Sequence, residues 1–168
     1  MLDVDYNGIV MFDPSVVNAW YGNSLTQGTD LFERYITTEE GDRALTGGLF
    51  VPILAIDDCG YDVIVRYDNE PSPVDVSSLR QENGAFALRV IESAVVADLA
   101  AIIEWEGAGA GQIVPVRPGL YEVHIRAFCR AGPGEHEIAE AGYEFVLSAT
   151  NVLPRVTGNT GARMRVID

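Results

Sequence analysis

Three side chains with acid–base character, Glu122, His124 and Arg126, alternate along a strand predicted over residues 119–130. Because neighbouring side chains of a strand point to opposite faces, this alternation places all three on one face. An acid beside an imidazole can orient it for general acid–base chemistry. The sequence shows no nucleophile or water-activating partner for His124, and polar residues alternate in this way on any solvated sheet face. The three residues are the catalytic candidates of the chain, but we predict that the protein is not an enzyme.

A second group of candidate ligands, Asp57-Asp58-Cys59, combines two carboxylates with a thiol. Consecutive side chains converge on one ion only in a turn, and the acid spacing of an EF-hand is absent. Common catalytic and cofactor signatures are absent from the sequence as well, including Cys-x-x-Cys, His-Glu-x-x-His, the phosphate loop and the dinucleotide fingerprint. The chain has no Lys, which excludes lysine Schiff-base chemistry. We predict no metal and no cofactor. The other histidine, His136, falls in a predicted solvated turn.

Charge is the strongest compositional signal. The chain carries 25 Asp and Glu against 11 Arg, a formal net charge of −14 on 168 residues. Such a surface repels phosphate backbones and anionic lipid headgroups, so we expect no direct contact with nucleic acid or membranes. It can serve solubility alone, or it can attract a basic protein. The predicted partner-binding residues are acids expected mainly in loops and two neighbouring aromatics: Glu39, Glu40, Asp57, Asp58, Trp20 and Tyr21.

The elements that position these residues are mostly strands. Short apolar or alternating runs, separated by turn-forming residues, fall at 8–12, 48–56, 61–67, 85–92, 119–130 and 142–149. The pair Asp13-Pro14 after the first run is a turn signal. Pro52 cannot donate to a strand ladder, so its run is predicted to lie at a sheet edge or a bulge.

Residues 94–105 stay open between helix and strand. Their apolar positions follow a helical period, and Ser93 could cap such a helix. Their Val and Ile residues, however, favour strands. For the whole chain we predict an all-β fold, a β-sandwich or a barrel-like arrangement of about seven or eight strands with one or two short helices. A single domain is expected over residues 1–168, in which residues 150–168 form an edge strand or an arm.

The cysteines and the N-terminus bear on the compartment. Cys59 and Cys129 are too few for a disulfide framework, which favours a reducing, cytoplasmic location. Residues 1–5 are acidic and do not resemble a signal peptide. No apolar run is long enough to span a membrane. Open sheet edges would allow a homodimer.

Several short segments follow one another in a characteristic order: 5–12, 18–20, 27–28, 47–56, 61–67 and 116–123, the last of which begins a long strand with a proline–glycine–aromatic sequence. This order resembles the competence protein J family over about residues 4–130. The family consists of small acidic bacterial proteins with a β-sandwich-like build, and its type member inhibits a nuclease that takes part in DNA uptake. The resemblance implies an inhibitor or immunity-type partner of a basic nuclease, whose carboxylates would occupy the phosphate-binding cleft.

Three other classes of function remain open from the sequence. A hydrolase or isomerase would be built around Glu122, His124 and Arg126. A β-sandwich that binds a small ligand or a carbohydrate could use Trp105 or Tyr21 as a stacking surface. A structural or assembly module would pair its 143–167 segment with another subunit.

Overall fold

The computed structural model describes residues 1–109, 111–134 and 138–167, and this part of the chain contains nine strands. They are β1 (Leu2–Val4), β2 (Gly8–Phe12), β3 (Phe50–Leu54), β4 (Cys59–Tyr67), β5 (Leu79–Val90), β6 (Ala94–Asp98), β7 (Gln112–Val114), β8 (Gly119–Ala131) and β9 (Ile138–Thr150). Four short helices accompany them: α1 (Pro14–Tyr21), α2 (Leu31–Thr37), α3 (Glu40–Thr46) and α4 (Ala100–Ile103). The fold is mostly β, as predicted. None of the described helices is long and apolar enough to cross a membrane.

Two predicted counts were wrong. The described residues form nine strands instead of seven or eight, because β1 and β7 have three residues each and are too short to leave a periodic pattern. They form four α-helices instead of one or two. Three of these lie between β2 and β3, where we expected mainly loops, and each has only seven or eight residues.

The strands form two sheets. The five-stranded sheet has the order β1-β4-β9-β8-β5, in which β4 and β9 are parallel and the other neighbours are antiparallel. The four-stranded sheet is antiparallel with the order β3-β2-β6-β7. Pro52 lies in β3, an edge strand, which confirms the prediction for this run.

The four-stranded sheet is covered on both faces. Along β2, Ile9 and Met11 belong to a core cluster that also contains Phe145 of the five-stranded sheet. The alternate residues Val10 and Phe12 belong to a second cluster, which includes residues of α1, α2 and α3. Since every residue of β2 is buried, its sequence is a continuous apolar run and not an alternation.

The junction between β2 and α1 depends on one buried acid. Asp13 is fully buried, and its carboxylate accepts hydrogen bonds from the backbone N–H groups of Ser15 (2.8 Å), Ile91 (2.6 Å) and Glu92 (2.8 Å). Asp13 is the N-cap of α1, and Pro14 is its first residue, where a missing N–H costs nothing. The predicted turn is therefore the start of a helix, and Asp13 also fixes the connection from β5 to β6.

Residues 94–105 contain both of the elements between which the sequence could not decide. Strand β6 occupies the first five residues, and α4 begins two residues after its end. Asp98, and not Ser93, satisfies the helix start, because its Oδ1 accepts a hydrogen bond from the backbone N–H of Ala100 at 2.6 Å.

The segment 151–167 packs on its own chain and has no strand in its described residues. The backbone N–H groups of Thr157 and Gly158 both donate to the carbonyl of Ala85 in β5, at 2.9 Å. Met164 is 1% exposed and belongs to the core cluster that contains side chains of both sheets. The segment therefore covers part of the β5 edge.

Candidate functional site

The predicted row of Glu122, His124 and Arg126 lies along β8, but its members have separate partners. His124 Nε2 lies 3.1 Å from Glu122 Oε1, and both side chains are partly exposed. Arg126 contacts Glu144 of β9 instead, with Nη1 2.6 Å from Oε2. The row is thus an exposed imidazole–carboxylate pair beside an arginine that belongs to an ion-pair network. The second histidine, His136, lies outside the described residues.

Glu144 is the centre of this network. It is fully buried, and its Oε1 accepts hydrogen bonds from Arg66 Nε (2.7 Å) and Ser72 Oγ (2.6 Å). Arg126 also reaches the exposed Glu82 on β5, at 3.0 Å. Burial raises the pKa of Glu144, but the hydrogen bonds from Arg66 and Ser72 and the charges of both arginines outweigh it, so this pKa lies below its usual value. Because the Glu144 carboxylate is held ionised and hydrogen-bonded, it is suited to stabilise the fold and poorly suited to transfer a proton.

The carboxylates of Asp57 and Asp58 each have a structural partner. Asp57 Oδ1 lies 3.4 Å from a guanidinium nitrogen of Arg165. Asp58 Oδ1 accepts hydrogen bonds from the backbone N–H (2.9 Å) and the side-chain amide (2.7 Å) of Asn7. Cys59 is an exposed free thiol. In the part of the chain that the structure describes, no group of three His, Cys, Asp or Glu side chains could hold a metal ion.

The aromatic candidates Trp20 and Tyr21 lie at the end of α1 and not in a loop. Trp20 is 47% exposed, and its ring lies against Gly47. The Tyr21 ring has the guanidinium carbon of Arg34 at 5.9 Å from its centroid. Burial, and then the charge and the hydrogen bond of Glu40, raise the pKa of Tyr21 to about 12. Tyr21 is therefore a neutral residue within a local contact between α1, α2 and α3.

The six predicted partner-binding residues fall into two groups. Glu39 and Glu40 lie at the start of α3, beside the end of α1. Asp57 and Asp58 lie in the loop between β3 and β4, next to Asn7. Among the described residues, no hydrogen bond or ion pair joins one group to the other. The predicted partner-binding acids therefore belong to two local structures.

The structure instead brings together acids that are distant in sequence, at the end of the four-stranded sheet where β2 begins and β6 ends. Asp98 Oδ2 accepts hydrogen bonds from the backbone N–H groups of Asp5 (2.7 Å) and Tyr6 (3.2 Å). Asp58 holds the next residue, Asn7, from the other side. Two carboxylates thus fix the loop 5–7 and leave the side chains of Asp5 and Tyr6 exposed.

A groove of about 190 Å³ opens beside this loop. Tyr6, which is 52% exposed, lines it together with three apolar residues and three acids: Ala100, Ala101, Ile103, Asp98, Glu104 and Glu106. We call it the Tyr6 groove. Its floor is apolar and its rim is acidic, so it is suited to a ligand with an apolar body and a cationic group.

Trp105, which lies between the two rim glutamates in sequence, does not belong to this groove. It is 4% exposed, and its ring centroid lies 5.7 Å from that of Phe12 in the core beneath the helices. A stacking surface at Trp105 is therefore closed to ligands in this structure.

No known protein family, no curated protein and no solved structure matches this chain. The resemblance to the competence protein J family stays a prediction.

The sequence pattern did not indicate that Tyr6, Asp98 and Glu106 belong to one site. A signal was present for Asp98, since an acid that ends a strand two residues before an Ala-Ala-Ile-Ile helix can accept a hydrogen bond from its first turn. The proximity of Tyr6 to the 98–106 segment follows only from the antiparallel pairing of β2 with β6.

Proposed function

We propose that the protein is a non-catalytic binding protein for a basic protein partner, and that it contacts this partner through the acidic end of the four-stranded sheet. The observation that carries the proposal is the acidic rim of the Tyr6 groove, which Asp98, Glu104 and Glu106 line, with Asp5 and Asp58 at the adjoining loop 5–7. Complementary charge of this kind accelerates association and selects the partner. A small acidic protein with an exposed aromatic anchor is suited to cover a basic cleft.

The class of partner that fits best is a nuclease, because a nuclease binds phosphates through a basic cleft that carboxylates can occupy. The choice of a nuclease as the partner depends on the resemblance to the competence protein J family and on the net charge of −14. Inhibition would then result from occlusion of the cleft and would need no chemistry by this chain.

We also propose a sandwich arrangement of the sheets and a reducing compartment for the protein. The shared core cluster of the two sheets supports a β-sandwich arrangement. The free thiols of Cys59 and Cys129 support a reducing, cytoplasmic compartment.

The test is a pull-down from native cell extract at low salt and again at about 1 M salt, where the Debye length falls to about 3 Å. We expect a basic protein, with nuclease activity that this chain inhibits, to be retained at low salt and released at high salt. If no basic protein is enriched at low salt, the proposal is wrong.

Two charge-matched variants then test the surface. One neutralises Asp5, Glu104 and Glu106, and the other neutralises the exposed acids Glu33, Glu39 and Asp42 of the helical region. Both change the net charge by the same amount. We expect the first variant to lose about tenfold in affinity at low salt, which is about 1.4 kcal/mol, and the second to lose much less. Equal losses would show that the net charge matters and this surface does not.

A second candidate function, the binding of a small polar ligand, is favoured by one cavity. It has a volume of about 340 Å³ and is lined by Tyr67, Tyr121, Ala149, Arg117 and the loop 68–70. This volume reaches the range of roughly 300–1,000 Å³ that is typical of ligand sites. Saturable NMR shifts at these residues on addition of a sugar or an amino acid would support this function, and an unresponsive cavity would remove it.

A further inference from the structure

We propose that the Tyr6 groove accepts a single arginine side chain of the basic partner, with the guanidinium group between the Tyr6 ring and the rim glutamates. This inference rests on the proposed function and specifies the contact through which it would act.

The size of the groove favours one side chain. Its volume of about 190 Å³ lies below the roughly 300 Å³ at which sites for drug-sized ligands begin. The groove is also open to solvent along one side, since Tyr6, Glu104 and Glu106 on its rim are all exposed. A side chain that projects from a partner surface can therefore reach the groove from solvent.

The floor of the groove matches the stem of a long basic side chain. Ala100, Ala101 and Ile103, all from α4, supply apolar surface and no hydrogen-bonding side chain. Arginine and lysine bury their methylene groups along such surfaces while the charged end stays at the rim.

The two glutamates on the rim of the Tyr6 groove carry negative charge that no described arginine neutralises. Among the described residues, neither Glu104 nor Glu106 lies within ion-pair distance of an arginine, whereas other acids of the chain, such as Glu144 and Asp57, do. The carboxylate of Asp98 is already occupied by three backbone N–H groups, so it fixes the groove and adds its charge without needing a ligand. The two glutamates are therefore the groups that a cation would contact.

The exposed ring of Tyr6 selects between the two basic side chains. A planar guanidinium stacks on an aromatic face and still donates in its own plane to carboxylates, whereas an ammonium group is compact and strongly hydrated. A metal ion is a poor alternative occupant, because the described residues contain no group of three acids, His or Cys that could hold one. The floor and the ring together favour arginine.

The test is an NMR titration of the full-length chain with N-acetyl-arginine methylamide, alongside the corresponding lysine and citrulline compounds. The citrulline side chain has nearly the same shape as arginine but no charge. We expect saturable shifts of the backbone amides of Tyr6 and residues 98–106 with the arginine compound, weaker binding of the lysine compound, and none of the citrulline compound. Shifts that map elsewhere, or equal binding of the citrulline compound, would overturn the proposal.

Variants of the groove residues test which side chains bind the arginine compound. The pair Glu104→Gln with Glu106→Gln should raise the Kd of the arginine compound at least about tenfold, whereas the charge-matched pair Glu33→Gln with Asp42→Asn should leave it unchanged. Tyr6→Phe should retain binding and Tyr6→Ala should lose it. Both Tyr6 variants keep the backbone N–H that Asp98 binds, so the loop should stay in place.

The outcomes for the groove and for the proposed function are distinguishable. If the arginine compound binds here but no basic protein is captured from the extract, the proposed function fails and the groove assignment stands. If a basic protein is captured but the groove does not respond to arginine, only the groove assignment fails.

Discussion

Asp58 accepts two hydrogen bonds from Asn7, one from its backbone N–H at 2.9 Å and one from its side-chain amide at 2.7 Å. Asn7 has a φ angle of 52°, in the left-handed region that a residue other than glycine rarely adopts. The carboxylate of Asp58 thus holds Asn7 in this left-handed conformation directly beside Tyr6. Asp58, a predicted partner contact, therefore also holds the loop that carries Tyr6.

Removal of this carboxylate should loosen the loop. We expect Asp58→Ala to lower the free energy of unfolding by about 1–2 kcal/mol, because both hydrogen bonds to Asn7 are lost. Urea denaturation measures this change. Glu39→Ala is the matched control, since Glu39 is exposed and makes no side-chain cap bond at the start of α3. Equal stability of the two variants would contradict the positioning role.

The two aspartate N-caps should differ in strength. Asp30 accepts one hydrogen bond, from the backbone N–H of Glu33, whereas the buried Asp13 accepts three. We expect Asp30→Ala to cost about 1 kcal/mol, as a typical cap does. Asp13→Ala should cost more than about 2 kcal/mol, because it also leaves two N–H groups of the β5–β6 connection without an acceptor. Thermal and urea denaturation of both variants would show the difference, and a similar cost for both would refute it.

Arg126 contacts one buried acid, Glu144, and one exposed acid, Glu82. Substitutions of these two acids form a second matched pair of variants. Glu144→Gln should destabilise the protein by about 3–5 kcal/mol, because it leaves Arg66 and Arg126 without their buried counter-charge. Glu82→Gln should cost less than about 1 kcal/mol, since Glu82 is 65% exposed. The prediction fails if the two variants have the same free energy of unfolding.

Acid should remove the contribution of Glu144. The pKa of this residue in the folded protein lies below its ordinary value of about 4.5, which applies to the unfolded chain. Its stabilising effect is therefore complete above that pH and is lost as the pH falls through the folded pKa. We expect the stability difference between the native chain and Glu144→Gln to be constant near neutral pH and to shrink below about pH 4. Urea denaturation across this range measures it, and a difference that grew in acid would have the wrong sign.

The effect of Glu40 on its neighbour should be measurable as a change in the pKa of Tyr21. After burial, the charge of Glu40 and its hydrogen bond are the next causes that raise the pKa of Tyr21 to about 12. Glu40→Gln removes a negative neighbour of the phenolate, so the pKa of Tyr21 should fall while remaining above its ordinary value of about 10. Alkaline titration followed by tyrosinate absorbance tests this. Glu39→Gln is the control, and an equal shift in both variants would mean that Glu40 has no specific contact.

The strands with clear alternation were predictable, and the site was not. Tyr121, Val123 and Ile125 are buried on one face of β8, as their spacing indicated. The helices between β2 and β3 were missed because a helix of seven or eight residues gives at most two turns of periodic signal. The Tyr6 groove joins residues that lie more than 90 positions apart, and only the register of β2 against β6 brings them together. Charge composition predicts the sign of charge on an expected partner but not which surface would contact it.

The order of strands in the five-stranded sheet has a consequence for how the chain folds. Among the described residues, β9 is the last strand in sequence but the central one of its sheet, and it pairs with β4 through contacts such as Asp62 with Gly142. During synthesis, β4 and β8 emerge before the strand that lies between them, so the sheet cannot close until residues 138–150 have left the ribosome. Pairing over such sequence distances makes folding slow, on a scale of about milliseconds to seconds. A chain truncated within β9 should therefore fail to fold, and an N-terminal fragment should not fold by itself.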